Sequence, residues 1–365
     1  MNPLVLLLTV AVVQDNDRVV ARDSSARMER LADGVYAIIH DEATRNWPSG
    51  AVNWPHSNVG VIVGDAGVLV IDSDYFPSRA RADIALIRQV TSRPVRWLVN
   101  THWHGDHTHG NGVYREIFPD VAILGTRANR DFISINLARL PAVAAQPNSG
   151  HRASLRQLDS VLAAGRDSAG PLTPGSRRLL ETAIHQRRAE LAELALVRDE
   201  PPNVLFEQDT TLMLGRRRIV IRNWDRANSM SDVTVYLPAE QILFTGDIVV
   251  HPVPYAWASM PGPWRGVLRG IAQLPVRHLV PGHGPVMQDH RYTQLLIALF
   301  DSTAARIESH MRAGRTLAEI ERLVTMDDFR PRFVLDEDPT ARAVWASSIP
   351  ALVERMHQCV QGYRC

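Results

Sequence analysis

Short apolar runs rich in β-branched residues predict the strands of a sheet. Segment 58–72 holds two such runs around a turn at 64–67, which is the pattern of a β-hairpin. A similar run precedes it at 34–40. Further strand-like runs lie at 96–100, 121–125, 211–214, 218–222, 232–237 and 242–244. The chain therefore reads as a β-rich domain whose strands stop near residue 125 and resume after residue 210.

Helical spacing of apolar residues dominates the stretches between and after these strands. Residues 78–92 repeat Ala, Ile and Leu at intervals of three to four, and 127–203 is rich in Ala, Leu and Arg. The last segment, 291–365, is also mostly helical in pattern. We therefore predict a domain at 28–290, with a helical insertion at 127–203 and a C-terminal helical extension at 291–365.

The N-terminus carries an apolar run at residues 4–13, followed directly by polar residues 14–30. A bilayer span needs about 20 apolar residues, so the run is too short to cross a membrane but fits the core of a secretory signal. No positive charge precedes it. We predict a leader at 1–27 and export to the periplasm or beyond; the alternative is a buried or frayed segment of a cytoplasmic protein.

Composition narrows the function classes. The 40 basic and 39 acidic residues give a net charge of +1, which is not the footprint of a nucleic-acid binder. Every basic side chain among these is arginine, so Schiff-base and phosphate-loop lysines are excluded. No other run is apolar enough for membrane insertion. We expect a small-molecule substrate as the partner, and the sequence leaves the oligomeric state open.

The two cysteines, Cys359 and Cys365, both lie at the C-terminus. They exclude a disulfide framework and a cysteine-rich zinc ribbon. Two alternatives stay open for them: one disulfide that closes a small terminal loop, or two free thiols on a tail.

The candidate chemistry is concentrated at residues 102–107, which read His-Trp-His-Gly-Asp-His. The segment follows the buried strand 96–100 directly, and loops at strand ends are where rigid scaffolds place their sites. On an extended segment His102 and His104 point the same way and can hold one metal ion. Asp106 and His107 then project to a different side and can hold a second ion.

This motif resembles the signature of the metallo-β-lactamase fold superfamily. Three more segments resemble that family in the right order: the hairpin ending at 70–72, Phe-Thr-Gly-Asp at 244–247, and Val-Pro-Gly-His-Gly at 280–284. Together they cover about residues 30–290. The resemblance implies an α/β fold, the four-layer αββα sandwich, with the insertion and the C-terminal extension outside the matched motifs.

Carried over residue by residue, the resemblance implies one or two zinc ions per chain, with two favoured, held by four histidines and two aspartates. These ligands are His102, His104, Asp106, His107, Asp247 and His283. The first ion takes His102 and His104, Asp247 bridges both ions, and the remaining three bind the second. Asp72 is the candidate to hold a ligand histidine by its other ring nitrogen.

One position departs from the family pattern. The third histidine of the first ion is expected in the segment 226–232, where it falls on Asn228. An amide oxygen is a weaker zinc ligand than imidazole, so the first ion is expected to bind loosely, to exchange or to be absent. A water or another side chain can fill the gap. His251 and His109 are the nearest candidates, and the alternative for each is a solvent-facing or structural histidine.

Zinc lowers the pKa of bound water to about 7, so hydroxide becomes available at neutral pH. Asp106 is then the catalytic residue that orients this nucleophile and takes its proton. No Gly-x-Ser-x-Gly elbow is present. The expected reaction is direct hydrolysis of a carbonyl-type bond, in an ester, thioester, lactone or lactam. Aspartate rather than cysteine at 247 argues against the cysteine-ligand β-lactamases.

Two other functions are compatible with the sequence. One is a mononuclear iron enzyme of the same fold that uses oxygen, and the other is a catalytically impaired metal-binding protein. Tyr255, Trp257 and Trp264 follow the bridging aspartate closely. They are expected either to line an apolar substrate slot or to pack a loop against the core.

Overall fold

The strands form two large sheets in the computed structural model, which describes residues 18–362 apart from 24, 41–55, 146–149, 168–169, 199 and 336–337. The first sheet holds β1 (Val19–Arg22), β2 (Arg27–Ala32), β3 (Val35–Ile39), β4 (Val59–Gly64), β5 (Gly67–Ile71), β6 (Val95–Val99), β7 (Ala122–Gly125) and β10 (Val204–Leu205), in that spatial order. Neighbours are antiparallel from β1 to β5 and parallel from β5 to β10. A short hairpin, β8 (Arg166–Asp167) with β9 (Gly170–Pro171), stands apart.

The second sheet is built by the strands that follow the insertion. Its members, in spatial order, are β11 (Thr210–Leu214), β12 (Arg217–Asn223), β13 (Val233–Leu237), β14 (Ile242–Phe244) and β15 (His278–Val280). They are antiparallel except for the parallel pair of β14 and β15. Every strand predicted from the apolar runs is present within one or two residues of its expected ends.

Helices cover the outer faces of both sheets and also form the insertion. The helices of the described chain are α1 (Pro77–Val90), α2 (Gly105–Thr108), α3 (Asn111–Ile117), α4 (Arg127–Ala145), α5 (Gly150–Ala164), α6 (Pro174–Leu194), α7 (Pro261–Ile271), α8 (Arg291–Arg312), α9 (Leu317–Leu323) and α10 (Pro339–Val360). The predicted insertion is helical, since α4 to α6 lie between β7 and β10. Within the described part of the chain, no helix combines the length and the apolarity that crossing a bilayer requires.

Three apolar layers hold this arrangement together. Residues of both sheets, such as Ile62 and Val235, pack in one cluster between the sheets. Val70 faces the other way and packs with α1. Beyond the second sheet, Leu243 packs with α7, α8 and α10. Strands β4 and β5 are buried on both faces because the second sheet covers one face and α1 the other. The four-layer αββα sandwich is therefore confirmed.

The end of the predicted leader overlaps the first sheet. Val19–Arg22, assigned to the leader, is an edge strand that pairs antiparallel with β2, and Ala21 is buried in the outer apolar layer. A polar stretch after an apolar run resembles a leader in sequence, and only pairing with β2 identifies it as a strand. The apolar run itself and Cys365 lie outside the described residues, so export stays a prediction and both alternatives for the cysteines stay open.

Trp264 ties the second sheet to the helices that cover it, and its removal tests how much stability that layer provides. The side chain is fully buried on α7, its ring lies 4.9 Å from that of Phe300 on α8, and its Nε1 donates to the Ile248 carbonyl at 3.0 Å. We expect Trp264→Ala to lower the free energy of unfolding by about 3–5 kcal/mol. Urea denaturation followed by circular dichroism measures this.

The matched control is Met213→Ala on β11, where the side chain is 60% exposed. Truncation there should change the free energy of unfolding by less than about 0.5 kcal/mol. If both variants lost the same free energy of unfolding, the packing of α7 onto the second sheet would contribute no more to stability than an exposed side chain does.

Candidate metal centre

Two adjacent parallel strands, β5 and β6, deliver the first polar residues of the site. Asp72 follows β5 and Thr101 lies two residues after β6, so both stand at the same edge of the sheet. Asp72 Oδ1 accepts from the Thr101 backbone N–H and Oδ2 accepts from Thr101 Oγ1, both at 2.8 Å. This pairing fastens the start of the His-x-His-x-Asp-His segment to the neighbouring strand.

The segment itself is not extended throughout, which corrects the conformation assumed from the sequence. The chain bends at residues 101–103, is extended at His104 and then forms the helical turn α2, with the His109 N–H donating to the Gly105 carbonyl at 2.9 Å. The turn is what carries Asp106 and His107 to a different side from His102. The hydrogen bonds of such a turn join residues only four apart in sequence. The alternation of polar residues in this segment nevertheless suggested an extended chain.

One cluster of ligand-type atoms is formed by Asp106, His107, Asp247 and His283, all buried. His107 Nε2 lies 3.1 Å from Asp247 Oδ1, and His283 Nε2 lies 3.3 Å from that same oxygen. His283 Nε2 is also 3.1 Å from Asp106 Oδ2. These are the four residues assigned to the second ion, and the fold brings them together from three separate segments.

A second cluster holds His102, His104 and again Asp247. His102 Nε2 lies 3.7 Å from Asp247 Oδ2, and the rings of His102 and His104 have centroids 4.5 Å apart. One carboxylate oxygen of Asp247 thus faces the first cluster and the other faces the second. That is the arrangement a bridging carboxylate between two adjacent ions requires.

Hydrogen bonds behind the ligands aim the histidine rings. His107 Nδ1 donates to Asp72 Oδ2 at 2.7 Å, and His283 Nδ1 donates to the His56 carbonyl at 3.2 Å. With Nδ1 protonated in this way, each Nε2 presents a lone pair to the cluster. Asp72 thus lies where the sequence predicted, while the His56 carbonyl was not foreseen.

The donor atoms match a metal because nothing else in the described structure satisfies them. Nε2 of His102, His107 and His283 and Oδ1 of Asp247 are buried and have no hydrogen-bond partner. Buried polar atoms rarely stay unpaired, since each costs roughly 1–3 kcal/mol. A divalent cation at each cluster would satisfy them, so these residues suit a metal.

Charges at the centre favour a cation as well. Burial works to lower the pKa of His283, but Asp247 and Asp106 outweigh it and raise that pKa to about 9. Burial likewise opposes ionisation of Asp247, yet His283 and His107 hold its pKa well below the usual range. The pKa of His102 moves the other way, lowered by burial and by His107 and His104. Without a cation, this centre binds protons in its place.

Glycines allow the bridging residue to sit against neighbouring backbone. A Cβ at Gly282 would lie 2.1 Å from Asp247 Oδ1, and one at Gly246 would lie 2.4 Å from Thr101 Oγ1. Gly246 also has φ +50°, a conformation that disfavours other residues. The motifs Phe-Thr-Gly-Asp and Pro-Gly-His thus need their glycines to let the chain approach Asp247.

Asn228 is buried, with only 1% of its surface exposed. Its Nδ2 donates to the Tyr255 carbonyl at 2.7 Å, and its Oδ1 is buried without a hydrogen-bond partner among the described residues. The loop around it is held by Asp232 Oδ2, which accepts the backbone N–H groups of Ala227 and Ser229. The role of Asn228 as a ligand stays a prediction.

The two histidines considered as substitutes make other contacts, although His109 shares a cavity wall with His104 and Asp106. The ring of His251 packs 5.1 Å from that of Tyr292, and the ring of His109 stacks on Tyr75 at 5.0 Å. Neither belongs to a donor cluster within the described part of the chain.

A cavity of about 350 Å³ opens on the centre, with His104, Asp106 and Asp247 in its wall. Aromatic side chains form much of the remaining lining: Tyr75, Trp103, Tyr255 and Trp257. Tyr255 stacks on Trp257 at 5.0 Å, and Ile133 and Asn136 of α4 close one side. Tyr255 and Trp257 therefore line the predicted pocket, and the insertion contributes to it. Trp264 packs in the core instead.

Sequence reasoning missed several residues near this centre. Besides the His56 carbonyl and Thr101, a third group of ligand-type side chains is formed by His40, Asp74 and Asp83. His40 and Asp74 each follow the end of a strand, as Asp72 does. Their position after a strand was therefore the one feature of the sequence that could have marked His40 and Asp74 as candidate site residues. No such feature marked Asp83, which lies on α1.

A family model described as the metallo-beta-lactamase superfamily matches residues 52–283, which is well over half of the chain. This chain belongs to the metallo-β-lactamase superfamily. The matched range contains all six ligands implied by the resemblance and ends at His283. The four-layer sandwich and the order of its motifs thus agree with the family assignment.

Solved structures with the same superfamily fold are distant in sequence. A metallo-β-lactamase from Pontibacter korlensis is 17% identical with a TM-score of 0.50, covering 76% of this chain and 99% of that one. The stereoselective inverting sec-alkylsulfatase Pisa1 from Pseudomonas sp. is also 17% identical, with a TM-score of 0.59 over 91% of this chain. This superfamily member spans only 50% of that sulfatase chain. At this identity the likeness concerns the fold.

Asp72 is expected to control metal affinity through His107. Asp72→Asn removes the charge that holds the Nδ1 proton of His107, so the ring loses its fixed orientation. Substitution of such supporting residues weakens metal binding about 10–100-fold. Competition with a chromophoric chelator measures the affinity.

Asp65→Asn is the matched control, because that carboxylate lies on the β4–β5 turn with 85% of its side chain exposed. It should leave metal affinity unchanged. If both variants bound zinc as tightly as the wild type, the hydrogen bond from His107 to Asp72 would have no part in holding the ion.

Proposed function

We propose that this superfamily member is a zinc-dependent hydrolase that cleaves a carbonyl-type bond, in an ester, thioester, lactone or lactam, of a small molecule. The observation that supports it is the pair of buried donor clusters that share Asp247 and face an aromatic-lined cavity. The shared carboxylate provides for two adjacent ions, and the cavity gives a substrate access to them.

Zinc in these clusters would supply hydroxide at neutral pH and a Lewis acid for the attacked carbonyl. The chain's own residues would orient the reaction. Asp106 lies in the cavity wall, with Oδ2 3.1 Å from His283 Nε2, so its carboxylate can hold a water and receive its proton. Asp72 and the His56 carbonyl keep the rings of His107 and His283 in place during turnover.

The cavity lining favours a neutral, partly apolar substrate. Tyr75, Trp103, Tyr255 and Trp257 offer ring faces and edges, while the described lining contains no arginine. Phosphate and sulfate esters carry a negative charge that usually calls for a cationic side chain. A carbonyl compound needs no such partner, so an ester, thioester, lactone or lactam fits this lining better.

The other two functions gain less support. The oxygen-dependent iron enzyme needs the histidine that Asn228 replaces, and neither His251 nor His109 lies in a donor cluster of the described residues. An impaired protein would have no reason to gather six ligand-type side chains, five of them buried, at the mouth of a cavity. We therefore favour hydrolysis.

Metal content tests the proposed pair of ions and the role of Asn228. At saturating zinc we expect two ions per chain in the proposed dinuclear centre, with the one at His102 and His104 bound more weakly, because an amide oxygen replaces imidazole. Asn228→His should strengthen that weaker site at least about tenfold. Elemental analysis and chelator competition provide stoichiometry and affinity, and His107→Ala distinguishes this centre from any other bound zinc.

Met230→His is the control, because it adds a histidine to the same loop at a side chain that is 37% exposed. It should leave the weaker site as it is. A centre that holds a single ion in the wild type and in Asn228→His alike would contradict the dinuclear arrangement.

Activity tests the reaction itself. Zinc-loaded protein is assayed against an aryl ester, a thioester, a lactone, a lactam, a sec-alkyl sulfate and a phosphodiester. We expect turnover of at least one carbonyl compound, and a loss of about 10²–10⁴-fold in kcat for Asp106→Asn. Glu116→Gln, 39% exposed on α3, serves as the carboxylate control.

Each other result has a definite meaning. Cleavage of the sulfate or phosphate ester alone would refute the carbonyl assignment while keeping the hydrolase. Bound iron with oxygen consumption would support the iron enzyme instead. A zinc-loaded protein that cleaves no member of the panel would refute the proposed substrate class.

A further inference from the structure

A third set of metal-binding atoms lies outside the centre described above. His40 follows β3, Asp74 follows β5 and Asp83 belongs to α1; their side chains are fully buried. One ligand atom from each lies within 4.8 Å of the others. The group shares no side chain with the six predicted ligands, and the mechanism proposed above does not use it.

The orientation of the His40 ring shows that a positive charge is needed between this residue and the two aspartates. Its Nδ1 lies 2.7 Å from the Ser57 carbonyl, which can only accept, so Nδ1 carries the proton. In the neutral ring Nε2 then carries a lone pair. This nitrogen nevertheless faces two carboxylate oxygens, Asp83 Oδ1 at 3.1 Å and Asp74 Oδ2 at 3.5 Å. Three electron-rich atoms converge, and a positive species must stand between them, either a proton on Nε2 or a metal ion.

The spacing of the donors equals that of the metal centre. Here the nitrogen-to-oxygen separations are 3.1 and 3.5 Å. At the centre the separations around Asp247 and Asp106 run from 3.1 to 3.7 Å. Ligands held tetrahedrally at about 2.0–2.1 Å from zinc stand roughly 3.3–3.4 Å apart. No rearrangement of the fold is needed to bring these atoms around an ion.

Charge balance favours a divalent ion in this group. Among the described residues, Arg79 pairs with Asp83 Oδ1 at 2.9 Å and with Asp23. One guanidinium cannot neutralise Asp23, Asp74 and Asp83 together, so these described side chains keep two negative charges when the histidines are neutral. Oδ2 of Asp74 and Oδ2 of Asp83 are buried and have no hydrogen-bond partner among the described residues. A divalent cation supplies two positive charges and a partner for these oxygens.

We propose that His40 Nε2, Asp74 and Asp83 bind a third divalent cation of the zinc class, with a structural role. The ion ties α1 to the ends of β3 and β5. It also steadies His56, whose ring Nδ1 bonds Asp74 and whose carbonyl accepts from His283. The site supports the backbone behind one predicted ligand of the metal centre, and it stands or falls independently of the reaction proposed above.

Anomalous diffraction from zinc-loaded crystals tests the wild-type protein directly. We expect a peak at the zinc absorption edge among His40, Asp74 and Asp83, besides those at the metal centre. The peak should disappear below the edge, which distinguishes zinc from other scatterers. Well-occupied peaks at the centre with none at His40 would overturn the proposal.

Variants test the same site by count. His40→Gln should lose one zinc per chain at saturation, while the ions of the metal centre are retained. His185→Gln is the matched control, on α6 with its side chain exposed, and should lose none. Equal zinc content in wild type and His40→Gln would overturn the proposal.

A further measurement keeps the test valid if His40→Gln fails to fold. Nitrogen-15 chemical shifts of the His40 ring in the wild type distinguish a metal-bound Nε2 from a protonated one. The proposal expects the Nε2 resonance to shift on zinc addition as the ion binds. An imidazolium signal, with both ring nitrogens protonated and unchanged by excess zinc, would show that a proton fills this place and would overturn the proposal.

Discussion

The carboxylate of Asp247 is the group on which the metal centre depends. Its Oδ1 faces His107 and His283 and its Oδ2 faces His102, so a single buried side chain joins the two donor clusters. Such a carboxylate costs free energy to bury unless positive charge lies beside it. The backbone around it is built for this position, since Gly246 and Gly282 leave no room for a Cβ. Nearby residues either add ligand-type atoms to the two clusters or hold such atoms in place.

The sandwich explains how these donors meet. Strands β5 and β6 are parallel neighbours, so Asp72 and the segment from Thr101 onward leave the same edge of the first sheet. Strands β14 and β15 are parallel neighbours of the second sheet, and Asp247 and His283 follow them. The two sheets pack against one another, and the ends of both parallel pairs come together at one edge. The apolar layer between the sheets thus sets the distance between the two halves of the site.

The two halves differ in their ligand-type residues more than in how their rings are held. The Nδ1 atoms of His107, His283 and His102 are all hydrogen-bonded. In one half, Nε2 of His107 and Nε2 of His283 each lie near two carboxylates. The resemblance places Asn228 in the other half, and the amide of that residue donates to the Tyr255 carbonyl. Tyr255 also lines the cavity, so the loop that presents Asn228 is tied to the wall of the substrate space. Asn228 and the wall of the cavity are therefore parts of one structure.

The sequence by itself determined most strands of the two large sheets, the helical insertion and the six ligand-type residues, because each depends on local pattern. Apolar alternation specifies a strand over a few residues, and a dense His and Asp motif is visible without coordinates. It could not determine what meets across the fold. The pairing of Val19–Arg22 with β2, the turn that redirects Asp106, and the hydrogen bond from His283 to the His56 carbonyl all depend on contacts made only in the folded chain. The group of His40, Asp74 and Asp83 is the clearest example, since three unremarkable positions on separate elements acquire a common chemistry only when β3, β5 and α1 pack together.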